Sequence, residues 1–268
     1  MTTQLLIIFV LTVLVHTVDT SAYAARLAGV RTGHPALANS LYHVLALGSR
    51  AAHALAGPLL ASLTDLAVLE QNTGSLLSAY RIVVLAASVG TVVAALGIPS
   101  LSRILARGIA SYENRRSLPQ VVVHGASVQG LWRMTSDLTP PRLGAVRESR
   151  RSPFSKRFLI ASVLVTAISA VSNAAAMYAS ALVPEGARTA TSLSPMLAGF
   201  GLVLSIFVVN PVAALITDEA LREKRPLKDV TYITIWQVGA QLVGTLAAQL
   251  LLWPAGQAIA IVTRWLVA

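Results

Sequence analysis

Six stretches of this chain are each long enough to cross a bilayer as a helix, and they hold almost no charge. They run from Gln4 to Ala25, Pro35 to Leu60, Ser78 to Leu101, Phe158 to Leu182, Leu193 to Ile216 and Val230 to Trp253. A hydrocarbon core about 30 Å thick takes about 20 helical residues. In that core only a helix or a closed barrel satisfies its own backbone. The short alternating segments of a barrel are missing, so the sequence predicts an all-α, polytopic integral membrane protein with six transmembrane helices. Composition agrees: 12% of the 268 residues are charged, about half the share of a soluble domain. Mean hydropathy is +0.68. Disorder is excluded, and an ordinary soluble α/β enzyme does not fit. The chain has no cysteine, which removes disulfides, thiolate metal sites and a cysteine nucleophile.

The first stretch reads as a retained span. Ser21-Ala22-Tyr23-Ala24-Ala25 offers small residues of the kind a signal peptidase cuts, but Met1-Thr2-Thr3-Gln4 carries no positive charge. Orientation follows from the basic residues. All but Arg50, Arg81, Arg188 and Arg264 fall in the connections after spans one, three and five. The other two connections hold Asp65, Glu70, Glu185 and Arg188. The basic connections are therefore expected in the cytoplasm, with both chain ends outside. Residues 1–110 carry spans one to three, 111–156 form a basic cytoplasmic connection, and 157–268 carry spans four to six. The connection, broken by prolines and glycines, is too short for an independent domain. It reads as an orientation signal; a basic patch on anionic head groups, with Trp132 at the interface, is the alternative.

A charge at the centre of a span costs at least about 2.5–3.5 kcal/mol and faces a partner or a watery cavity. In span two, Asn39, His43, Arg50 and His53 share one helical face. In span one, His16, Asp19, Tyr23 and Arg26 recur at steps of three, four and three. The first connection reads as about nine residues, short enough to make these two spans antiparallel neighbours. Depth counting then sets Asp19 near His43 and His16 near Arg50. A structural Asp–His or Asp–Arg pair would account for Asp19, though not for the whole stripe. Ser162, Thr166, Ser169, Asn173 and Ser180 of span four read as packing residues. Thr234, Gln237, Gln241 and Thr245 give span six a wet side as well. A central polar cavity is expected. Pro58, Pro99, Pro211 and Pro254 fall late in spans two, three, five and six and predict kinks. Their matching places in two three-helix halves resemble the broken helices of inverted-repeat transporters.

Chemistry that needs a fixed motif is missing. There is no His-Glu-x-x-His, no Gly-x-Ser-x-Gly elbow and no P-loop. The Ser49-Arg50…His53 run does not keep the spacing of lipid phosphatases. Neither metal nor cofactor is expected. Arg50, His53 and His43, with Asn39 and Tyr23 beside them, suit a lipid-linked pyrophosphate. Arg26 and Arg31 stand at the cytoplasmic mouth. Asp19 would neutralise the empty site, and with His16 or His43 it could exchange protons near neutral pH.

The run from His16 to Gly33 (His-Thr-Val-Asp-Thr-Ser-Ala-Tyr-Ala-Ala-Arg-Leu-Ala-Gly-Val-Arg-Thr-Gly), followed by Ser49-Arg50-Ala51-Ala52-His53, resembles the opening of the Amj family of lipid II flippases. The resemblance lies in roughly the first 65 residues and extends beyond them only as a pattern of spans. It implies a multi-pass protein of the bacterial cytoplasmic membrane that moves undecaprenyl-pyrophosphate-linked peptidoglycan precursor from the inner to the outer leaflet. The expected partners are lipid II or a related polyprenyl-pyrophosphate lipid and the membrane lipids, not nucleic acid. The alternatives are a membrane phosphatase or transferase acting on polyprenyl phosphates, and a scaffold with its polar stripes zipped shut.

Overall fold

The computed structural model describes residues 2–117, 120, 127, 139–141, 143–150 and 154–268. Trp132, Arg133, Arg142 and Arg151 of the basic connection lie outside the described residues. Among those described there is no strand. Six helical stretches are long and apolar enough to cross a membrane: Thr3–Thr32, Pro35–Leu69, Thr73–Tyr112, Lys156–Leu182, Pro184–Leu221 and Leu227–Val267.

The first span is two helices end to end, α1 (Thr2–Thr20) and α2 (Ala22–Thr32). At their junction Thr20 and Ser21 donate their hydroxyls to the carbonyls of His16 and Thr17, both at 2.7 Å. Such back-bonding bends a helix. Gly33, at φ 76°, ends α2 in the left-handed conformation that a glycine adopts without strain. Pro35 then opens α3 (Pro35–Leu69) at its first turn. The connection is thus the pair Gly33–His34, tighter than the nine residues read from the sequence, because polar Arg26 and Arg31 do not interrupt the helix.

Span three is α4 (Thr73–Arg115), started by the Asn72 side chain, which accepts from the Ser75 amide at 3.1 Å. The short α5 (Leu143–Ser149) precedes span four, α6 (Lys156–Leu182). Span five is built in pieces: a 3-10 turn at Pro184–Gly186, α7 (Ala187–Ser192), α8 (Ser194–Leu204), a π-helical turn at Ser205–Val209 and α9 (Asn210–Leu221). Span six is α10 (Leu227–Val267). Helical assignment continues through Pro58, Pro99 and Pro254. Pro211 is the proline that coincides with a change of winding, since it follows the π turn directly. Between α9 and α10, Arg225 donates to Glu219 at 2.8 Å and to Asp229 at 3.3 Å. The hydrogen bond to Glu219 in the first place, then the bond to Asp229, hold its pKa above the ordinary value.

The tightest packing is between α6 and α10, followed by α1 on α4 and on α3. Small residues let these helices approach. A Cβ added at Gly90 would sit 2.5 Å from the Val13 carbonyl oxygen and 2.9 Å from the His16 Cβ, so α4 touches α1 there as only a glycine permits. Thr17 donates its hydroxyl to the Gly90 carbonyl at 3.2 Å in the same place.

Buried apolar residues form two clusters, one toward each end of the bundle. The first joins Ile8, Leu63, Tyr80, Val171 and Leu252; the second, at the end with the basic connections, joins Leu27, Leu41, Ile109, Phe158 and Ile233. Neither takes a residue of span one between Ile8 and Tyr23, or of span two between Tyr42 and Leu59. Polar groups share that gap with the small buried side chains of Val15, Ala46, Ala52 and Ala56. Ser88 of α4 donates to Thr245 of α10 at 2.9 Å, both buried, and His16, Asp19, Ser49, Arg50 and His53 lie at the same level. The bundle is apolar, polar, apolar from end to end.

Candidate functional site

Arg50 is the sixteenth residue of α3, about 22 Å along its axis from Pro35. It stands close to the midpoint of the 35-residue helix, so a bilayer centred on α3 would hold it at mid-depth. One face of α3 is buried through Ala46, Ser49, Ala52 and Ala56. Asn39, His43, Arg50 and His53 form an exposed polar edge beside that face, and Ala51 and Leu55 lie on the apolar exposed side.

The structure divides the predicted residues into three groups. The deepest group is centred on Asp19, whose Oδ1 accepts a hydrogen bond from the buried Ser49 hydroxyl at 2.9 Å. His53 and Arg50 lie within electrostatic range of Asp19, and His53 also within range of half-buried His16. A carboxylate, a guanidinium and two imidazoles thus share one layer between α1 and α3. Asp19, Arg50 and His53 all keep exposed surface. This is not a closed salt link: the direct partner of the carboxylate is a hydroxyl, and the cation beside it retains its donors.

The depth reading needs correction. Asp19 bonds Ser49, with His53 and Arg50 in electrostatic range, and so lies deeper than His43; His16 is in range of His53. The cause is the short turn at Gly33–His34, which slides α3 by about two helical turns relative to the sequence count. His43 instead accepts at Nε2 from the Asn39 amide at 3.2 Å on the exposed edge of α3.

The second group links span one to span six. The Arg26 guanidinium lies 5.8 Å from the centre of the Tyr23 ring, within cation–π range. It donates to the Oε1 atom of buried Gln237. Arg26 also lines a crevice with Pro35, Asn210 and Thr217, which opens between spans two and five. Tyr42 connects this group to the deep one, being in electrostatic range of Asp19, Tyr23 and Arg50. Sequence reasoning missed Tyr42. The signal was available: Tyr42, Ser49 and His53 are spaced by seven and four, the period of one helical face.

Arg31, the third group, donates to the Ser102 hydroxyl of α4 at 3.1 Å and stands in the wall of a cavity of about 650 Å³ among spans one, three and six. Of the predicted residues this cavity takes in Arg31 alone. Its walls are otherwise mostly apolar, with Arg103 and Thr234 as further polar members. The polar cavity expected around Arg50 is therefore a laterally exposed polar layer, and the concave pocket with Arg31 in its wall lies elsewhere, beside the basic end.

Span four holds to its reading as a packing helix. Ser162, Ser172 and Ser180 each donate to a carbonyl of their own helix. Among the described residues no cluster of three or more His, Asp or Glu is placed to hold a metal ion.

A family model described as Amj, alternate to MurJ, matches residues 11–263. The chain belongs to the Amj family. The Amj match takes in all of the predicted site residues, extending the resemblance well past the opening of the chain. A curated relative, lipid II flippase Amj of Bacillus subtilis (strain 168), is 30% identical over 271 aligned positions, which cover 98% of this chain and 98% of the relative. No solved structure matches.

Proposed function

We propose that this protein is a lipid II flippase of the bacterial cytoplasmic membrane. It carries the undecaprenyl-pyrophosphate-linked peptidoglycan precursor from the inner to the outer leaflet, and it is a transporter, not an enzyme. The observation that carries the proposal is similarity along nearly the full length of both chains to a relative named for that activity. The basic connections face the cytoplasm, so both chain ends are outside.

The polar layer between α1 and α3 suits the task. A pyrophosphate crossing the hydrocarbon core needs donors and positive charge at mid-depth, where an unpaired anion is most costly. Arg50 supplies a planar fork of donors, and His53 stands one turn further along the helix. Asp19, bonded to Ser49, offsets the Arg50 charge when no lipid is bound and gives it up when the phosphates arrive. Exposure on the side of the bundle lets the polyprenyl tail stay in the membrane while the head group moves along the polar edge of α3 past His43 and Asn39. Tyr42, Tyr23 and Arg26 stand beside that track at about the level of His43.

The test is a cell in which this gene is the sole source of flippase activity, scored by outer-leaflet lipid II. The proposal expects surface lipid II and growth to persist with the gene and to stop when it is withdrawn. Phosphate release from polyprenyl pyrophosphate by the purified protein, without any rise in surface lipid II, would identify an enzyme instead.

A further inference from the structure

A second site lies away from the polar layer. The cavity of about 650 Å³ among α2, α4 and α10 has the size of a small-molecule pocket. Its wall combines apolar surface from Leu96, Ile235 and Val238 with the guanidinium-bearing residues Arg31 and Arg103. Thr234 also lines it; that residue is 2% exposed, and its hydroxyl has no hydrogen-bond partner. A buried hydroxyl left unpaired costs about 1–3 kcal/mol. Pro99, another wall residue, has no N–H to give the Ala95 carbonyl, which loosens α4 beside the cavity.

The remaining wall is the connection after span three. Ser100 pairs with Thr139 through two hydrogen bonds, accepting from its amide at 3.0 Å and donating to its carbonyl at 3.3 Å. Tyr232 donates to Glu148 at 2.8 Å, and the Trp236 indole donates to the Ser149 carbonyl at 3.0 Å. Thr139, Glu148 and Ser149 are thereby tied to spans three and six, and Pro140, Pro141 and Val146 line the cavity. Read from sequence, this connection was at most an orientation signal or a lipid-surface patch. In the structure it builds a wall.

We propose that this cavity is the loading site for an isoprenyl diphosphate: Arg31 and Arg103 hold the phosphates, Thr234 donates to a phosphate oxygen, and the apolar wall receives the first prenyl units. The assignment rests on the flippase reading above. Two cations beside an apolar wall match a diphosphate with a hydrocarbon tail more closely than the single charge of a phosphatidylglycerol. The basic end is where a lipid made in the cytoplasm would enter.

The test uses the purified full-length protein in detergent, with farnesyl diphosphate as probe and farnesol, inorganic pyrophosphate and phosphatidylglycerol as comparisons, read by native mass spectrometry and thermal shift. Farnesyl diphosphate is expected to bind and to raise the unfolding temperature, and the three comparisons to bind at least tenfold more weakly. R103A should weaken farnesyl diphosphate binding about tenfold or more, the loss of one charge-assisted contact, and R103K should recover part of it. Gly239→Leu fills the cavity and is expected to abolish binding without unfolding the protein: a Cβ at Gly239 has nothing within 4 Å. Wild-type binding by R103A and Gly239→Leu would overturn the site, as would equal binding of phosphatidylglycerol. If those variants bind normally while the wild-type gene still sustains surface lipid II, only the site is lost; if the wild-type gene sustains none, the flippase reading fails first.

Discussion

Arg50→Ala is expected to abolish growth of cells that rely on this protein as their sole flippase, with the variant still present in the membrane at the wild-type level. The two halves of that result have separate physical causes. Arg50 lies on the exposed edge of α3, outside both apolar clusters, so its removal leaves no void in the packing. Transport is different, because a guanidinium within electrostatic range of Asp19 disappears from the polar edge of α3. A hydrogen bond from Arg50 to a charged phosphate is worth about 1.5–3 kcal/mol, so lipid II movement should fall by roughly 10-fold or more. Arg50→Lys keeps the charge and loses the planar fork, and should restore a minor part of the activity. Surface lipid II and membrane abundance of the variant, measured side by side, check both halves. Normal growth with Arg50→Ala would remove Arg50 from the transport path.

The largest structural effect is expected at Gly244. It sits where α10 crosses α6, the most extensive helix contact of the bundle. A Cβ placed there would come 2.6 Å from the Thr166 Cβ and 2.7 Å from the Val163 carbonyl oxygen. The second of these is backbone and cannot rotate away. Overpacking a core normally costs about 1–3 kcal/mol, and a backbone clash between two long helices lies at the top of that range. Gly244→Leu should therefore lower the unfolding midpoint in detergent by several degrees and reduce the amount of folded protein recovered. Gly199→Leu is the matched control, since a Cβ at Gly199 has nothing within 4 Å, and it should unfold at or near the wild-type temperature.

The spans themselves were legible in the sequence because charge is excluded from lipid so strongly that its distribution outlines the membrane. Their ends were not. The sequence cannot distinguish a helix that stops at the bilayer surface from one that continues beyond it, and so Arg103 and Arg107 read as connection although α4 carries them within a helix. The same ambiguity put nine residues where Gly33 and His34 suffice, and it displaced every cross-helix pairing between spans one and two. The polar stripe of α3 was readable from its helical period, and so was the polar side of span six, but that side is buried and not wet: Gln237 holds Arg26, and Thr245 bonds Ser88. The cavity was not readable. Its wall residues come from α2, α4, α10 and the stretch around Thr139 to Val146, and no local pattern ties such distant segments together. The prolines did not mark span ends either: a proline deletes one backbone hydrogen bond, and α3, α4 and α10 remain helical on both sides of Pro58, Pro99 and Pro254.

The charged layer between α1 and α3 serves transport only when water reaches it, and the cysteine-free sequence allows that to be measured directly. Single cysteines at Arg50, His53, Ala51 and Leu55, in membranes holding the otherwise unchanged protein, can be treated with a charged, membrane-impermeant thiol reagent. The expected result is modification at 50 and 53, with slowing by lipid II at 53, where Arg50 is intact, and protection at 51 and 55 on the apolar side of the same helix. Equal protection at all four positions would mean that Arg50 and His53 face acyl chains or a dry contact, and lipid head groups would have no path through this layer.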